Sequence, residues 1–446
     1  MLKTSVAQNV PYGGEFQGRE ALAKWQADKL SKVLRDSYRD VPHYRSSFQA
    51  AGVRPGPIED TSELGEFPTI GKATLRDHGR DLYLTEEVVD FVSSSGTSGN
   101  PVILPVRAGE EDFRVRPITR VLRELGVGPD DRVLHNFNSY ALYVFGYYSI
   151  LAVRELRAGL IRMGPLMEER QVQILRDLRP TAFIANPHFM LSLAETASRL
   201  GLDPATSSLK RGLLATATPF GPDLEPRPFR TELERRWGLD LTIAHYGSSE
   251  AGPIGFECRS HRGYHLHEDV VFVERVDPET LRPVEPDEPG EVVVTHLDGG
   301  RGFTAIRYRT GDLVAWSSTE PCPCGRTTTR LGPVIGRVDQ QIKLRGQNIT
   351  PDFLLALIDP VPGVATSIVE AFRMEGTNED WFRIKLGVED LGAAEGIRAL
   401  VGRAVAAHIP TAIPIEVVTQ DVLLRQQLDA RREGGGNKVV RFFDLR

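Results

Sequence analysis

Residues 93–101 read SSSGTSGNP. Gly96 and Gly99 free the backbone for positive φ and for close approach to a ligand. Successive N–H groups of such a loop form a concave anion nest, and hydroxyls add donors. The same composition also makes flexible connectors, and the stretch alone does not separate the two readings. No Lys-Ser/Thr pair closes it, so it is not a Walker loop. AHYGSSEAG (244–252) adds Tyr246, whose ring face suits a purine, and Ser248 and Ser249 as donors to phosphate. Its Glu250 is a carboxylate of the kind that joins phosphate oxygens around Mg²⁺. By itself this string also reads as a surface turn after a buried strand. Asp312 in YRTGD offers two acceptor oxygens, which suits a vicinal diol. Arg309 precedes it on what reads as the same turn. Lys438 follows three glycines and precedes the alternating VVRFF. That arrangement puts one ammonium on a mobile loop, and the plain alternative is a lysine that is simply exposed.

The cysteines form a second group. Cys258 lies in ECRSHRGYHLHED, and Cys322 and Cys324 lie in PCPCGR. With His265 they make a Cys₃His set, a standard ligand group for structural Zn²⁺, and His261 and His267 are rival fourth ligands. The C-x-C spacing is tighter than in most zinc fingers, and three separate reduced thiols near turns is the plain alternative. A metal here would staple the surrounding hairpins, since nothing requires an open ligand position.

The elements that must position these groups follow from periodicity. Residues 1–90 read as mostly helical, with ALAKWQADKLSKVLRDSYRD and KATLRDHGRDLY at helical spacing. Beyond the Ser/Gly stretch, helix-like RPITRVLRELG, EERQVQILRDLR and LEPRPFRTELERRWG precede strand-like DRVLHNF, TAFIANP and LTIAHYG. That alternation predicts α/β layering around a largely parallel sheet. VVFVERVDPETLRPVEPDEPGEVVVTHL reads as a hairpin and TAIRYRTGDLVAW as strand-turn-strand. A separate α+β unit begins near Arg337–Asp339 and includes strand-like FRIKLGV, helix-like IRALVGRAVAAHI and strand-like IEVVTQDVLL. A chain of 446 residues is long for one core, which agrees with more than one domain.

Hydrophobic content of 41% and charged content of 26% fit a soluble globular protein. With 54 basic against 60 acidic residues and no basic block, nucleic acid is not an expected partner. The opening MLKTSVAQNVPYGGEF lacks a signal-peptide core, and no apolar run is long enough to span a membrane. Three cysteines argue against a disulfide scaffold. The expectation is a cytoplasmic protein with no membrane partner.

Taken in order, SSSGTSGNP, AHYGSSEAG, YRTGD, GRVDQQIKLRG (336–346) and GGGNKVVRFFDLR (434–446) resemble the motifs of the adenylate-forming acyl-CoA synthetase superfamily. VPHYRSSFQAAGV, FPTIGKATLRD and CPCGRTTTRLGPVIGRVDQQIKLRGQNITPDF bring the likeness closer to its phenylacetate–CoA ligase branch, so it spans nearly the whole chain. The resemblance implies a large N-terminal multi-layer α/β domain over 1–336 and a small mobile C-terminal α+β domain over 340–446. Asp339 would be the hinge, a position where Asp absorbs φ/ψ change better than its β-branched neighbours. The implied activity is ATP-dependent conversion of a carboxylic acid, aromatic or arylacetic, to an acyl-adenylate. Transfer to a thiol follows, with CoA the expected acceptor. A carrier-protein thiol or an amine is the alternative acceptor, and a non-catalytic nucleotide-binding scaffold is the reading outside enzyme chemistry. A homodimer is a further expectation.

The resemblance also assigns roles. Ser94, Ser95, Gly96, Thr97, Ser98 and Gly99 would cradle the β- and γ-phosphates, with Asn100 standing where many relatives carry Lys. Ala217, Thr218 and Pro219 in LLATATPFG would line the adenine pocket, with Thr218 where relatives usually carry Glu. Tyr246, Gly247, Ser248 and Ser249 would contact the nucleotide, and Glu250 would hold Mg²⁺. Asp312, with Arg309 and Arg337, would serve ribose or phosphate. Lys343 and Gly346 would face the thiol channel, and Lys438 would be the adenylation lysine. The acid would lie among Phe137, Tyr140, Phe145, Gly146, His188 and Phe189, drawn from HNFNSYALYVFGYY and NPHFM, with Tyr147 and Tyr148 beside them. The Tyr hydroxyls and Asn138 point to a hydroxylated or amino-substituted aryl acid.

Overall fold

The computed structural model describes residues 18–94, 101–344, 347–374, 379–409, 411–433 and 440–446. Helix Arg19–Asp40 buries Leu22, Gln26, Ala27, Leu30, Val33, Leu34 and Ser37, one stripe recurring every three to four residues. Helices Pro42–Ala50 and Lys72–Leu82 follow, as the periodicity predicts. No helix among the described residues is long and apolar enough to cross a membrane.

The centre is a nine-stranded sheet. Five neighbouring strands run parallel, in the order Gly159–Arg162, Arg132–His135, Ala182–Ala185, Arg211–Leu214 and Leu241–Ser248. Helices cover both faces of such a sheet, so its strands carry apolar side chains on both sides. All of Ala182–Ala185 is buried accordingly. From Leu241–Ser248 the sheet continues antiparallel through Gly252–Glu257, Tyr264–Leu266, Arg330–Leu331 and Ser317–Ser318. Ligand-binding loops of an open parallel sheet gather beyond the carboxyl ends of its strands. Here those ends carry His135–Asn138, Asn186–Phe189, Ala215–Pro219 and Tyr246–Glu250.

A second sheet pairs Val271–Val276, Gly290–His296, Tyr308–Val314 and Val334–Arg337 in that order, all antiparallel. It corrects the strand-turn-strand reading of TAIRYRTGDLVAW. Tyr308–Val314 is one strand, and Thr-Gly-Asp lies inside it. The turn-like composition serves a bulge: the register shifts between Glu291 and Val293, and Gly311 takes φ +76°. Glycine reaches that left-handed region without strain.

A separate hydrophobic core begins at Ile342 and runs through Leu354, Val369, Phe382, Ile384, Val401 and Ile413. Its sheet is ordered Ile415–Thr419, Asp380–Val388, Thr366–Arg373 and Phe442–Asp444. The strand expected over IEVVTQDVLL stops at Thr419, and Gln420–Glu433 is helical. The β-branched run ends there, while Leu423 and Gln427, both buried, repeat at i, i+4.

Candidate active site

The strands on either side of the Ser/Gly stretch pair with each other. Val88–Ser93 pairs antiparallel with Ile103–Arg107. At the base, the Ser94 N–H donates to the Val102 carbonyl at 2.9 Å, and the Val102 N–H donates to Ser94 Oγ at 2.9 Å. These reciprocal bonds pinch the chain where it enters and leaves the loop. Ser95, Gly96, Thr97, Ser98, Gly99 and Asn100 themselves lie outside the described residues, as do Gly346 and Lys438.

The second motif is tied to the first. Ser249 Oγ donates to the Ser93 carbonyl at 2.9 Å. Buried Arg114 donates from both terminal nitrogens to the Ser249 carbonyl at 3.2 Å. Ser248 Oγ accepts from the Ala251 N–H at 3.0 Å, which closes the turn that carries Glu250. Glu250 is buried, and the Tyr308 phenol beside it has its pKa raised by burial and by the Glu250 charge. Gly247, next to last in the strand, is exposed.

The third motif joins them through Tyr246. Its hydroxyl donates to Asp312 Oδ2 at 3.0 Å, and burial with the Asp312 charge raises its pKa well above the usual phenol value. Arg337, opposite Asp312 on the neighbouring strand, donates from Nη1 to Asp312 Oδ1 at 2.8 Å. The same guanidinium donates from Nε to Asp339 Oδ1 at 3.1 Å. One arginine therefore spans the diol-type acceptor and the expected hinge. Arg309 does not join this group. The bulge turns it toward Glu291, which it meets at 2.5 Å, and toward the Pro278 carbonyl. Lys343 is exposed on strand Ile342–Leu344.

Beyond strand Arg211–Leu214, Thr216 adopts φ +72° and its hydroxyl accepts from Asn186 Nδ2 at 2.7 Å. Ala217 and Thr218 are half-buried and Pro219 is buried. The Tyr264 ring lies 5.5 Å from that of Tyr246. Tyr246 therefore has an aromatic neighbour as well as the Asp312 carboxylate.

The acid-binding expectations divide. Phe137 and Phe145 meet edge to face at 5.2 Å, and Phe145 stacks on His245 at 5.3 Å and 21°. Gly146 lies in the first turn of helix Val144–Glu155, where a Cβ would come within 1.7 Å of the Asn138 carbonyl. Only glycine allows that approach. Tyr140 is 60% exposed and departs from the slot. Ala141 and Leu142 both take positive φ and turn the chain outward, so Tyr140 and Tyr147 line a surface cavity of about 430 Å³ with Asp90, Phe91, Glu111 and Tyr148. Asn186 caps helix Pro187–Arg199 by accepting from the His188 and Phe189 N–H groups. The His188 ring packs on Phe229 at 5.2 Å. Burial and the nearby Arg441 charge lower its pKa to about 4. Phe189 is buried.

The cysteines converge. The ligand atoms of Cys258, His265, Cys322 and Cys324 all lie within 4.8 Å of one another. Cys258 Sγ is 3.7 Å from Cys322 Sγ, and Cys324 Sγ is 3.4 Å from His265 Nε2. A tetrahedron with metal–sulfur bonds of ~2.3 Å has sulfur–sulfur edges of ~3.8 Å, so the donor set fits Zn²⁺. Thr328 Oγ1 contacts His265 Nδ1 at 3.0 Å and fixes the ring. The rivals are engaged elsewhere, His261 with Glu257 and Arg230, and His267 with Arg120.

Two contributors carried no signal as sequence. Arg114 stands in an ordinary amphipathic helix, and nothing in its neighbours foretells burial against Ser249. His245 falls within AHYGSSEAG, and alternation with Tyr246 places it on the opposite face of its strand.

No family model matches the chain. A phenylacetate–coenzyme A ligase of Thermus thermophilus is 31% identical over 452 residues, covering 96% of this chain and 97% of that one. A phenylacetate–coenzyme A ligase of Escherichia coli is 33% identical over 343 residues, covering 75% of each. The fold matches a 2-hydroxyisobutyryl-CoA ligase solved in its postadenylation state, with TM-score 0.82 and 22% identity over 98% of this chain and 94% of that one.

Proposed function

The chain belongs to the phenylacetate–coenzyme A ligase family, and on that premise we propose that it activates a carboxylic acid with ATP and passes the acyl group to coenzyme A. A substrate carboxylate oxygen attacks the α-phosphorus, the bond to the α–β bridging oxygen breaks, and pyrophosphate leaves. The thiol sulfur then attacks the acyl carbon, the bond to the AMP oxygen breaks, AMP leaves, and the thiol proton passes to solvent.

The observation that carries this reading is the linkage of three motifs drawn from three sheets, through Ser249–Ser93 and Tyr246–Asp312–Arg337. Ser94–Gly99, Ser248 and Ser249 are assigned to the polyphosphate, Tyr246 with Ala217–Pro219 to the base, and Asp312 with Arg337 to the ribose. Glu250 would hold Mg²⁺, which supplies charge neutralisation for the leaving pyrophosphate. Lys438 is assigned to the charge that develops at the α-phosphate. The domains are 1–336 and 340–446, and rotation about Asp339 withdraws Lys438 and admits the thiol. The Arg337 bond to Asp339 supports this, since it links the hinge to the nucleotide carboxylate. Cys258, His265, Cys322 and Cys324 are assigned to structural Zn²⁺.

ATP–pyrophosphate exchange across aryl, arylacetic and short aliphatic acids tests the reading. Exchange with some of these acids, lost in Lys438→Ala, and AMP release on adding CoA, is the expected result. ATP binding without exchange for any acid points to the scaffold alternative.

A further inference from the structure

Resting on the adenylation reading, we propose that this chain selects an acid bearing a hydroxyl group, read by His245 and His267 at the end of the Phe137–Phe145 slot. Phe145 stacks on His245, which places the imidazole beside the Phe137–Phe145 pair. His267 lies behind, its ring centroid 6.3 Å from that of His245 and stacked at 5.1 Å on Phe256. Phe256 is the cross-strand partner of His245, which puts those two rings on one sheet face, and His267 joins them through its stack on Phe256.

The hydrogen-bond inventory then identifies the ligand group. Arg120 Nη1 lies 2.9 Å from His267 Nδ1. A guanidinium has donors only, so Nδ1 accepts and Nε2 carries the ring proton. That Nε2–H is buried with no acceptor, and His245 Nδ1 is buried with no partner. Buried polar atoms are nearly always satisfied, and since these two do not bond each other, a third group set between the rings would satisfy both. The group must accept from His267 and donate to His245. A hydroxyl does both. A carboxylate or ether only accepts, and an ammonium only donates. Burial lowers the His245 pKa to about 4, so its ring is neutral and its Nδ1 is free to accept. A trapped water has the same chemistry and is the competing occupant.

The test compares kcat/KM for ATP–pyrophosphate exchange with matched acids, ring-hydroxylated against plain phenylacetic acid and hydroxylated against plain short aliphatic acids. Taking the ratio within one variant cancels any loss of folded protein. A site built to bond a hydroxyl strongly rejects the analogue lacking it, so wild type is expected to favour at least one hydroxylated acid by about 100-fold or more. His245→Leu is expected to reduce that ratio to about threefold or less. If the leucine variant does not fold, His245→Gln, which moves the acceptor, is expected to lower the ratio at least about tenfold. Exchange with no hydroxyl preference, or a preference that survives these substitutions, overturns the inference and leaves adenylation standing. Absence of exchange with every acid overturns both.

Discussion

Beyond the carboxyl end of strand Leu241–Ser248, Tyr246 and Arg337 both donate to Asp312 of the second sheet, and the buried Glu250 lies on the turn that follows the same strand. At the antiparallel end of the same sheet, Cys258, His265, Cys322 and Cys324 face inward on one another, and Thr328 takes up the remaining imidazole nitrogen. Both clusters are polar and both are largely buried. The first links two separate sheets through one carboxylate. The second closes on a point about the size of one ion. Saturated inward ligation suits a staple, and convergence of separate elements suits a substrate.

The largest expected effect breaks the catalytic side alone. Lys438→Ala should reduce the exchange rate by about 10²–10³-fold, the scale for losing one preorganised electrostatic group. Unchanged exchange at matched ATP and acid would remove Lys438 from the chemistry. Folding and metal content should be those of wild type.

Asp312→Asn comes next. It weakens a charge-assisted pair with Arg337, a loss of about 1.5–3 kcal/mol, and should raise the KM for ATP more than tenfold. A fall in thermal stability with KM for ATP unchanged would show the pair to be only structural.

Thr328→Val breaks the other side alone. Removing an outer partner of a ligating histidine should cost about 10–100-fold in metal affinity. Competition with a chromogenic chelator reads this directly. Zinc well below one per chain in wild-type protein would dispose of the staple, and exchange falling in step with metal loss would erase the contrast between the clusters.

Ser249→Ala is the smallest. It removes the hydroxyl that joins the Glu250 turn to the hairpin base, worth about 0.5–1.5 kcal/mol. The KM for MgATP should rise a few-fold with little change in melting temperature. A large stability loss with normal nucleotide kinetics would mean the bond serves packing.

Much of the molecule was legible before any coordinates. The helical opening and the alternation that makes the parallel sheet follow from periodicity, because burial on one face imposes a repeat of 3.6 or 2. The motifs specified residue types suited to phosphate, a diol and a soft-ligand metal, because those chemistries need particular side chains. Sequence did not decide which groups meet. Arg309 and Arg337 are equally good arginines; Arg309, ahead of a bulge in which residues 310–312 face the single residue 292, pairs with Glu291, while cross-strand register brings Arg337 to Asp312. Tyr140 and Phe145 stand five positions apart in one aromatic run, and two positive-φ residues put one on the surface and the other on His245. His261, His265 and His267 alternate along one segment, and only the pairing of Tyr264–Leu266 with Arg330–Leu331 brings His265 to the cysteines. Local chemistry is written in residue identity. Direction and partnership depend on register, bulges and backbone reversals, which are settled by contacts between segments far apart in the chain.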